Sequence, residues 1–377
     1  MKQSKEEETQ IIIHHWMRML HIKFGWIKDF DKLVVNYVSP FAYTIFIFDT
    51  FRSSSKLLNT FTGHINWVYS IDHSTFGDCQ FICSGSNDKT VRVWDIENNK
   101  QIQSFNEHSD DVYCVKFSPY HYHNHHQNVI CSSSWDRTIR FWDFKHNRQL
   151  QIFNEFNGVC GIKFSPFNGG RYLCSGSYDK TIRLWDIETS RSLHVFNGHR
   201  YGIWCVDISP LRSNNNNNDN KSNNIGVIGG NGYTICSGSF DKTIRIWDIE
   251  TTKQFNVFNG HESYVRCVKY GPNELKNIIL SGSDDFSVRL WDIRSSKQIQ
   301  VFNGHTNDVT CVEYSPFVIK NSEFGDNSNV ICSGSCDNTI RFWDIRSNKN
   351  QLYAIRVYEQ VLCLKFIELK KVNNNKN

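Results

Sequence analysis

The stretch Ile235-Cys-Ser-Gly-Ser-Phe-Asp-Lys-Thr-Ile-Arg-Ile-Trp-Asp248 decides the fold. Ile235–Ser239 is short and rich in small residues. Phe240-Asp241-Lys242 carries turn chemistry, and Thr243–Trp247 is β-branched and aromatic, as strands prefer. The reading is strand, tight turn, strand. The chain writes this phrase six times, ending at Trp94-Asp95, Trp142-Asp143, Trp185-Asp186, Trp247-Asp248, Trp291-Asp292 and Trp343-Asp344. A second phrase precedes most copies: Gly63-His64, Gly198-His199, Gly260-His261 and Gly304-His305, with Glu107-His108 in the second repeat.

A period in the forties, lengthened by insertions, with Gly-His early and Trp-Asp late, resembles the WD-repeat family, whose repeats are four-stranded propeller blades. The resemblance covers about residues 43–369. It implies an all-β propeller, and the chain ends suggest seven blades. Tyr43–Asp49 is a degraded copy, with Phe48-Asp49 in place of Trp-Asp, and Lys56–Phe61 reads as an outer strand. Val361–Phe366 reads as one more inner strand, so the seventh blade is expected to be shared by both chain ends and short of one strand. The Asn-rich segment 214–224 lacks the apolar content to fold.

Residues 1–40 form a separate helical N-terminal extension in this reading, 41–369 the propeller, and 370–377 a disordered tail. Ser4 and Glu7 make a capping box. Ile12, Ile13, Trp16, Met19 and Leu20 recur at helical spacing, and Ile27, Phe30, Leu33, Val34, Tyr37 and Val38 recur likewise after Gly25. A strand over Leu33–Val38 is the alternative.

The 42 basic and 38 acidic residues leave a net charge of +4, which gives no global pull toward nucleic acid or a membrane. Nucleic acid is therefore not an expected partner, and no stretch approaches a membrane span. Most of the thirteen cysteines recur at equivalent strand positions, where they read as small buried hydrophobes rather than disulfides. That usage fits a reducing compartment, the cytoplasm or the nucleus. Ile11–Ile13 is too short for a secretory leader.

The resemblance implies a hydrogen-bonded quartet inside each blade: His64, Ser84, Asp88 and Trp94; His108, Ser132, Asp136 and Trp142; His199, Ser237, Asp241 and Trp247; His261, Ser281, Asp285 and Trp291; His305, Ser333, Asp337 and Trp343. Ser, His and Asp together invite a catalytic-triad reading. Five copies argue for structure instead, because an active site needs one copy in one cleft. The third repeat has Ser175, Asp179 and Trp185 but Phe156 in the His position, so its network is expected to be broken. The Trp-Asp strand arginines (Arg92, Arg140, Arg183, Arg245, Arg289, Arg341) are expected in ion pairs between blades. His121, His123, His125 and His126 fall in an insertion without carboxylates nearby and read as a solvated loop. Cys332/Cys336 and Cys79/Cys83 lack a second half at zinc spacing. No metal, cofactor or catalytic residue is expected.

Two columns vary while their neighbours stay fixed. One follows the first Val or Ile of the inner strand: Tyr69, Tyr113, Cys160, Trp204, Arg266 and Thr310. The other precedes the turn Asp: Asn87, Trp135, Tyr178, Phe240, Asp284 and Cys336. The resemblance implies that both border the channel on the face opposite the insertions, where partners bind. Tyr, Trp and Arg dominate binding hot spots. The expected function is a non-enzymatic protein-interaction scaffold or adaptor, with RNA binding or a propeller-based enzyme as alternatives. The sequence says nothing about a small-molecule ligand.

Overall fold

The computed structural model describes residues 46–47, 51–52, 55–74, 80–209, 233–272, 275, 277–318, 330–346 and 351–367. The helices expected over residues 1–40, the Asn-rich segment and the tail lie outside the described residues. The chain divides into two compact units, Met1–Ser53 with Phe317–Asp326, and Ser54–Pro316 with Asn327–Asn377. In the first, Phe46–Ile47 pairs in parallel with Phe317–Val318.

The second unit is a β-propeller of six four-stranded antiparallel sheets. We number these blades 1 to 6. Their inner strands are Val68–His73, Val112–Phe117, Val159–Phe164, Ile203–Ile208, Val265–Tyr270 and Val309–Tyr314. In blades 1 to 5 each strand pairs with the next in sequence, and in blade 6 only Phe317–Val318 intervenes, so every blade is a meander running outward from the central channel.

Two local devices repeat. The central turn is closed by its Asp: in blade 1 Asp88 Oδ1 accepts from Thr90 N at 3.0 Å and Thr90 Oγ1 at 2.6 Å. This holds the intervening Lys89 at φ 68°, and the matching Arg137, Lys180, Lys242, Phe286 and Asn338 share the left-handed conformation. Blades then adhere through rings. The Phe closing one outer strand packs on the Trp of the next blade, as Phe105 on Trp142 at 4.8 Å and Phe153 on Trp185 at 5.1 Å. Both rings are buried in each case, and removing such a ring costs about 3–5 kcal/mol.

The seven-blade expectation is corrected: among the described residues six blades form. Among the described residues the end segments supply no central strands for a further blade. Phe46–Ile47, from the degraded copy, pairs with Phe317–Val318 instead. Val361–Phe366 joins no sheet and lies at the seam between blades 6 and 1. Its Val361 N–H donates to Ser335 O at 3.1 Å. Farther along, Lys365 Nζ is 3.7 Å from Asp72 Oδ1 of blade 1.

The histidine-rich insertion is also corrected. Pro119–His125 is an α-helix, α1. His121 within it is buried and bonds Ser118 Oγ through Nδ1 at 2.8 Å. Burial lowers its pKa to about 4.

Candidate functional site

The inner strands present three layers to the channel. Their first is set by a β-bulge that recurs in all six blades. The ladder register skips one residue in each inner strand, namely Tyr69, Tyr113, Cys160, Trp204, Arg266 and Thr310. A bulged residue leaves the ladder and re-aims its side chain. That explains why this column is free to vary while its neighbours are not.

The turn column is tied to the same rim. The N–H groups of Asn87, Trp135, Tyr178, Phe240, Asp284 and Cys336 donate to the carbonyls of Trp67, Asp111, Gly158, Gly202, Tyr264 and Asp308 at 2.8–3.0 Å. These acceptors form a third variable column, just before the first Val or Ile of each inner strand, which the sequence reading missed although its variability was visible. Two of its members are glycines for a steric reason. A Cβ on Gly158 would lie 2.4 Å from Trp135 Cε3, and one on Gly202 would lie 2.7 Å from Tyr178 Cδ2.

The structure brings Tyr69, Tyr113, Trp135, Tyr178, Trp204 and Phe240 into one chain of ring contacts. Tyr69 stacks on Tyr113 at 4.9 Å, Tyr113 meets Trp135 at 5.9 Å and Trp204 at 5.2 Å, and Trp135 meets Tyr178 at 4.9 Å. Phe240 closes the series at 5.8 Å from Tyr178 and 5.4 Å from Trp204. Tyr178 is 43% exposed, and the other rings are half-buried. Arg266 lies over Trp204, 4.6 Å from the ring centre, and makes a two-point pair with Asp284, Nε–Oδ1 and Nη2–Oδ2 both 2.7 Å. Asn87 Nδ2 donates to Asp111 Oδ2 at 2.6 Å. A pocket of about 210 Å³ opens here, lined by Tyr69, Tyr113, Cys160, Trp204, Arg266 and Thr310 together with Trp67, Asp308, Cys336, Gln360 and Leu362. Burial and the neighbouring Asp284 charge push the Asp308 carboxyl above its usual range.

Deeper lies a sulfur layer, Cys114, Cys205, Cys267, Cys311 and Cys363, beside Ser70 and Gly161. The cysteines of the described residues are free thiols, and none of the groups there could hold a metal ion. Burial pushes the Cys205 thiol up to about 12. Equivalent cysteines of several blades thus line one layer of the channel wall as free thiols.

The third layer is charged: Lys116, Lys163, Asp207, Lys269, Glu313 and Lys365 line the channel, and Asp72 pairs with Lys116 and Lys365. Lys163 Nζ is 2.8 Å from Asp207, Lys269 Nζ 3.1 Å from Glu313, and Lys116 Nζ 3.8 Å from Asp72. Burial opposes ionisation of Asp72 and Asp207, but the facing lysines outweigh it and hold both carboxyls low.

The quartets sit away from the channel, inside the blades. His Nδ1 meets Asp Oδ2 at 2.7–2.8 Å and His Nε2 meets Ser Oγ at 2.7–2.8 Å in blades 1, 2, 4, 5 and 6. The Trp indole N–H donates to the same Ser Oγ at 2.7–2.9 Å. Burial works against the Asp88 charge, yet hydrogen bonds from Thr90 and His64 prevail and hold its pKa at about 2. The serine hydroxyl is buried and already shared by two partners, which leaves no room for a substrate.

In blade 3 the network is rebuilt rather than broken. Glu155, one residue earlier than expected, takes the His place and accepts from Ser175 Oγ at 2.7 Å. Phe156 turns outward, 78% exposed. Glu155 Oε2 lies 2.5 Å from Arg183 Nε, at an angle off the line of a hydrogen bond. Burial raises its pKa to about 7. The shorter loop removes a residue and thereby shifts the register by one.

The Trp-Asp strand arginines do not bridge blades. Each reaches the turn Asp of its own blade, four residues back, at 3.2–3.8 Å. Strand geometry carries it along its own turn rather than across to the neighbour.

The family model for the WD domain, G-beta repeat, matches residues 55–95, 99–143, 147–186, 190–248, 252–292 and 296–344. The chain belongs to the WD-repeat family. Among WD-repeat and related proteins it is similar to WD repeat-containing protein pop2 of Schizosaccharomyces pombe, 33% identical over 72 residues, 19% of this chain and 7% of that protein. It is similar to U3 small nucleolar RNA-associated protein 15 homolog of Xenopus tropicalis, 42% over 62 residues, 16% of this chain and 12% of that protein. Superkiller complex protein 8 of Dictyostelium discoideum is 35% identical over 68 residues, 18% of this chain and 22% of that protein. The match thus spans less than a quarter of any of these relatives. No helix among the described residues is long and apolar enough to cross a membrane.

Proposed function

We propose that this WD-repeat chain is a non-catalytic interaction scaffold that takes a peptide or a loop of a protein partner into the aromatic channel mouth. One observation carries the reading. The bulge in every blade frees a residue that differs between the repeats, and Tyr69, Tyr113 and Trp204 of this column stay half-buried around a 210 Å³ pocket. The partner-binding residues are Tyr69, Asn87, Tyr113, Trp135, Tyr178, Trp204, Phe240, Arg266 and Asp284. Exposed aromatics with few rotors are efficient contact residues. Names such as Superkiller complex protein 8 describe relatives within assemblies, which supports the adaptor reading. The free buried thiols favour the cytoplasm or nucleus.

RNA binding is the weaker reading. The name of the U3-associated relative favours it, and rings can stack bases. Against it, Arg266 is already neutralised by Asp284, and Asp111 and Asp308 add negative charge to the rim. Affinity capture with quantitative mass spectrometry, with and without nuclease, separates the two. The scaffold reading expects captured proteins to survive nuclease treatment; their loss would favour RNA.

A further inference from the structure

Blade 3 extends the aromatic mouth outward over its rim. The missing loop residue puts Glu155 in the His place and leaves Phe156 outside, 78% exposed, where it fills no core. The Arg183 guanidinium lies 4.8 Å from the Phe156 ring centre and also reaches Asp179 Oδ2 at 3.4 Å. Next along that turn, Lys180 Nζ stands 5.9 Å over the ring of Tyr201 from blade 4, which is 60% exposed. On the other side of Asp179, Tyr178 joins the mouth through its ring contacts with Trp135 and Phe240. Phe156, Tyr178 and Tyr201 thus carry exposed aromatic surface from the pocket to the outer part of the blade.

The charge around these rings has one sign. Arg137, Lys180 and Arg200 are exposed. The Arg137 carbonyl accepts from the Glu155 N–H at 2.9 Å, and Arg200 directly precedes Tyr201, so the three cations frame the patch. Among the described residues none of them pairs with a carboxylate. The acids of blade 3 are turned inward, Glu155 onto Ser175 and Asp179 onto Thr181. Blades 5 and 6 carry the opposite sign. Glu262 and Glu359 are exposed there, Asp308 lines the pocket, and Arg266 is neutralised by Asp284.

We propose that the rim of blade 3 docks a short acidic segment of a partner protein, with an apolar residue set among its carboxylates. The apolar residue packs against Phe156, Tyr178 and Tyr201, and the carboxylates meet Arg137, Lys180 and Arg200. The proposal rests on the mouth reading, since the same partner reaches from this rim into the pocket. Charge complementarity selects the occupant. A nucleic acid carries its charge along its whole length and would cover Asp111 and Asp308 as well as the cations. A short acidic segment can end at blade 3.

The probe is a phage-displayed library of random linear peptides, selected on the full chain. Selected sequences are then titrated as labelled synthetic peptides by fluorescence anisotropy. The expected binders set Asp or Glu beside an aromatic or aliphatic residue and bind less tightly as salt rises. The surface variant Arg137→Glu/Lys180→Glu/Arg200→Glu weakens them by about tenfold or more, and Phe156→Ser weakens them too. If the triple variant unfolds early, Phe156→Ser decides. Basic or uncharged binders, or acidic ones that these variants leave unchanged, would overturn the proposal. If such binders are lost with Trp204→Ala, the mouth reading survives that failure. Acidic binders lost with the surface variant but indifferent to Trp204→Ala would instead overturn the mouth reading. Displacement of the acidic peptides by oligouridine at equal concentration would assign the patch to RNA and overturn the proposal, and absence of any selected binder would overturn both readings.

Discussion

Arg266 stands 4.6 Å above the Trp204 ring while its Nε and Nη2 grip Asp284 at 2.7 Å. One side chain thus links the bulge residue of blade 4 to the turn residue of blade 5. The mouth is held in shape before any partner arrives, which lowers the ordering cost of binding.

Arg266→Gln is expected to unfold at lower denaturant, by about 1–3 kcal/mol, because Asp284 loses a charge-assisted partner. Asp284→Asn should cost a similar amount. The double variant should cost clearly less than both together, since the two act as one unit. Full additivity in the double-mutant cycle would contradict the coupling.

Asp241→Ala leaves His199 and Arg200 N without an acceptor, at a cost of about 1–3 kcal/mol. In blade 3 the burden lies on Glu155, so Glu155→Ala should cost as much, while Asp179→Ala should cost less. Asp179 accepts only from Thr181 and Arg183. Denaturant unfolding orders the three, and equal losses for Asp179→Ala and Asp241→Ala would contradict the assignment.

Glu155 also gives a pH dependence. Its folded pKa is raised from 4.5 to about 7 by burial, so the folded state keeps a proton that the unfolded chain has released. The resulting stability is full below about pH 4.5 and is lost as pH rises through about 7, on the order of 3 kcal/mol across the window. His64, His199, His261 and His305 act in the opposite sense, since burial holds them below 6.5. The readout is therefore the difference between wild type and Glu155→Gln, which should slope between pH 4.5 and 7. A flat difference would show that Arg183 keeps Glu155 ionised throughout.

The strand–turn–strand phrase made the blades legible, because Ser237, Asp241 and Trp247 each satisfy a partner at a fixed spacing. The variable columns were legible too, since the bulge frees Trp204 from the ladder. The number of blades was not. Val361–Phe366 carries an inner-strand pattern because Lys365 completes the charged layer at Asp72, without needing a blade behind it. Glu155 was missed because a one-residue deletion moves the register, and position counting lands on Phe156. The Lys and Asp of the third layer looked like ordinary strand charges, since their pairing across blades leaves no local spacing.

Asp72 is the hinge of that layer, between Lys116 at 3.8 Å and Lys365 at 3.7 Å. Asp72→Asn leaves two half-buried lysines facing each other and should cost about 1–3 kcal/mol. Lys365→Met should cost less, because Lys116 still pairs with Asp72 and burial already disfavours the Lys365 charge. Thermal unfolding compares the two, and a larger loss for Lys365→Met would contradict this layout.

The central claim is that the mouth aromatics serve binding and the blade tryptophans serve the fold. The most direct test compares Trp204→Ala with Trp247→Ala, measuring unfolding free energy and capture of the wild-type partner set in parallel. Trp204 is half-buried at the rim, whereas Trp247 is buried and donates to Ser237. The account predicts that Trp204→Ala loses partner capture, by about 2 kcal/mol or more in affinity, with only a small shift in unfolding. Trp247→Ala should lose about 3–5 kcal/mol of stability. Partner capture unchanged in Trp204→Ala, or a stability loss there as large as in Trp247→Ala, would contradict the claim.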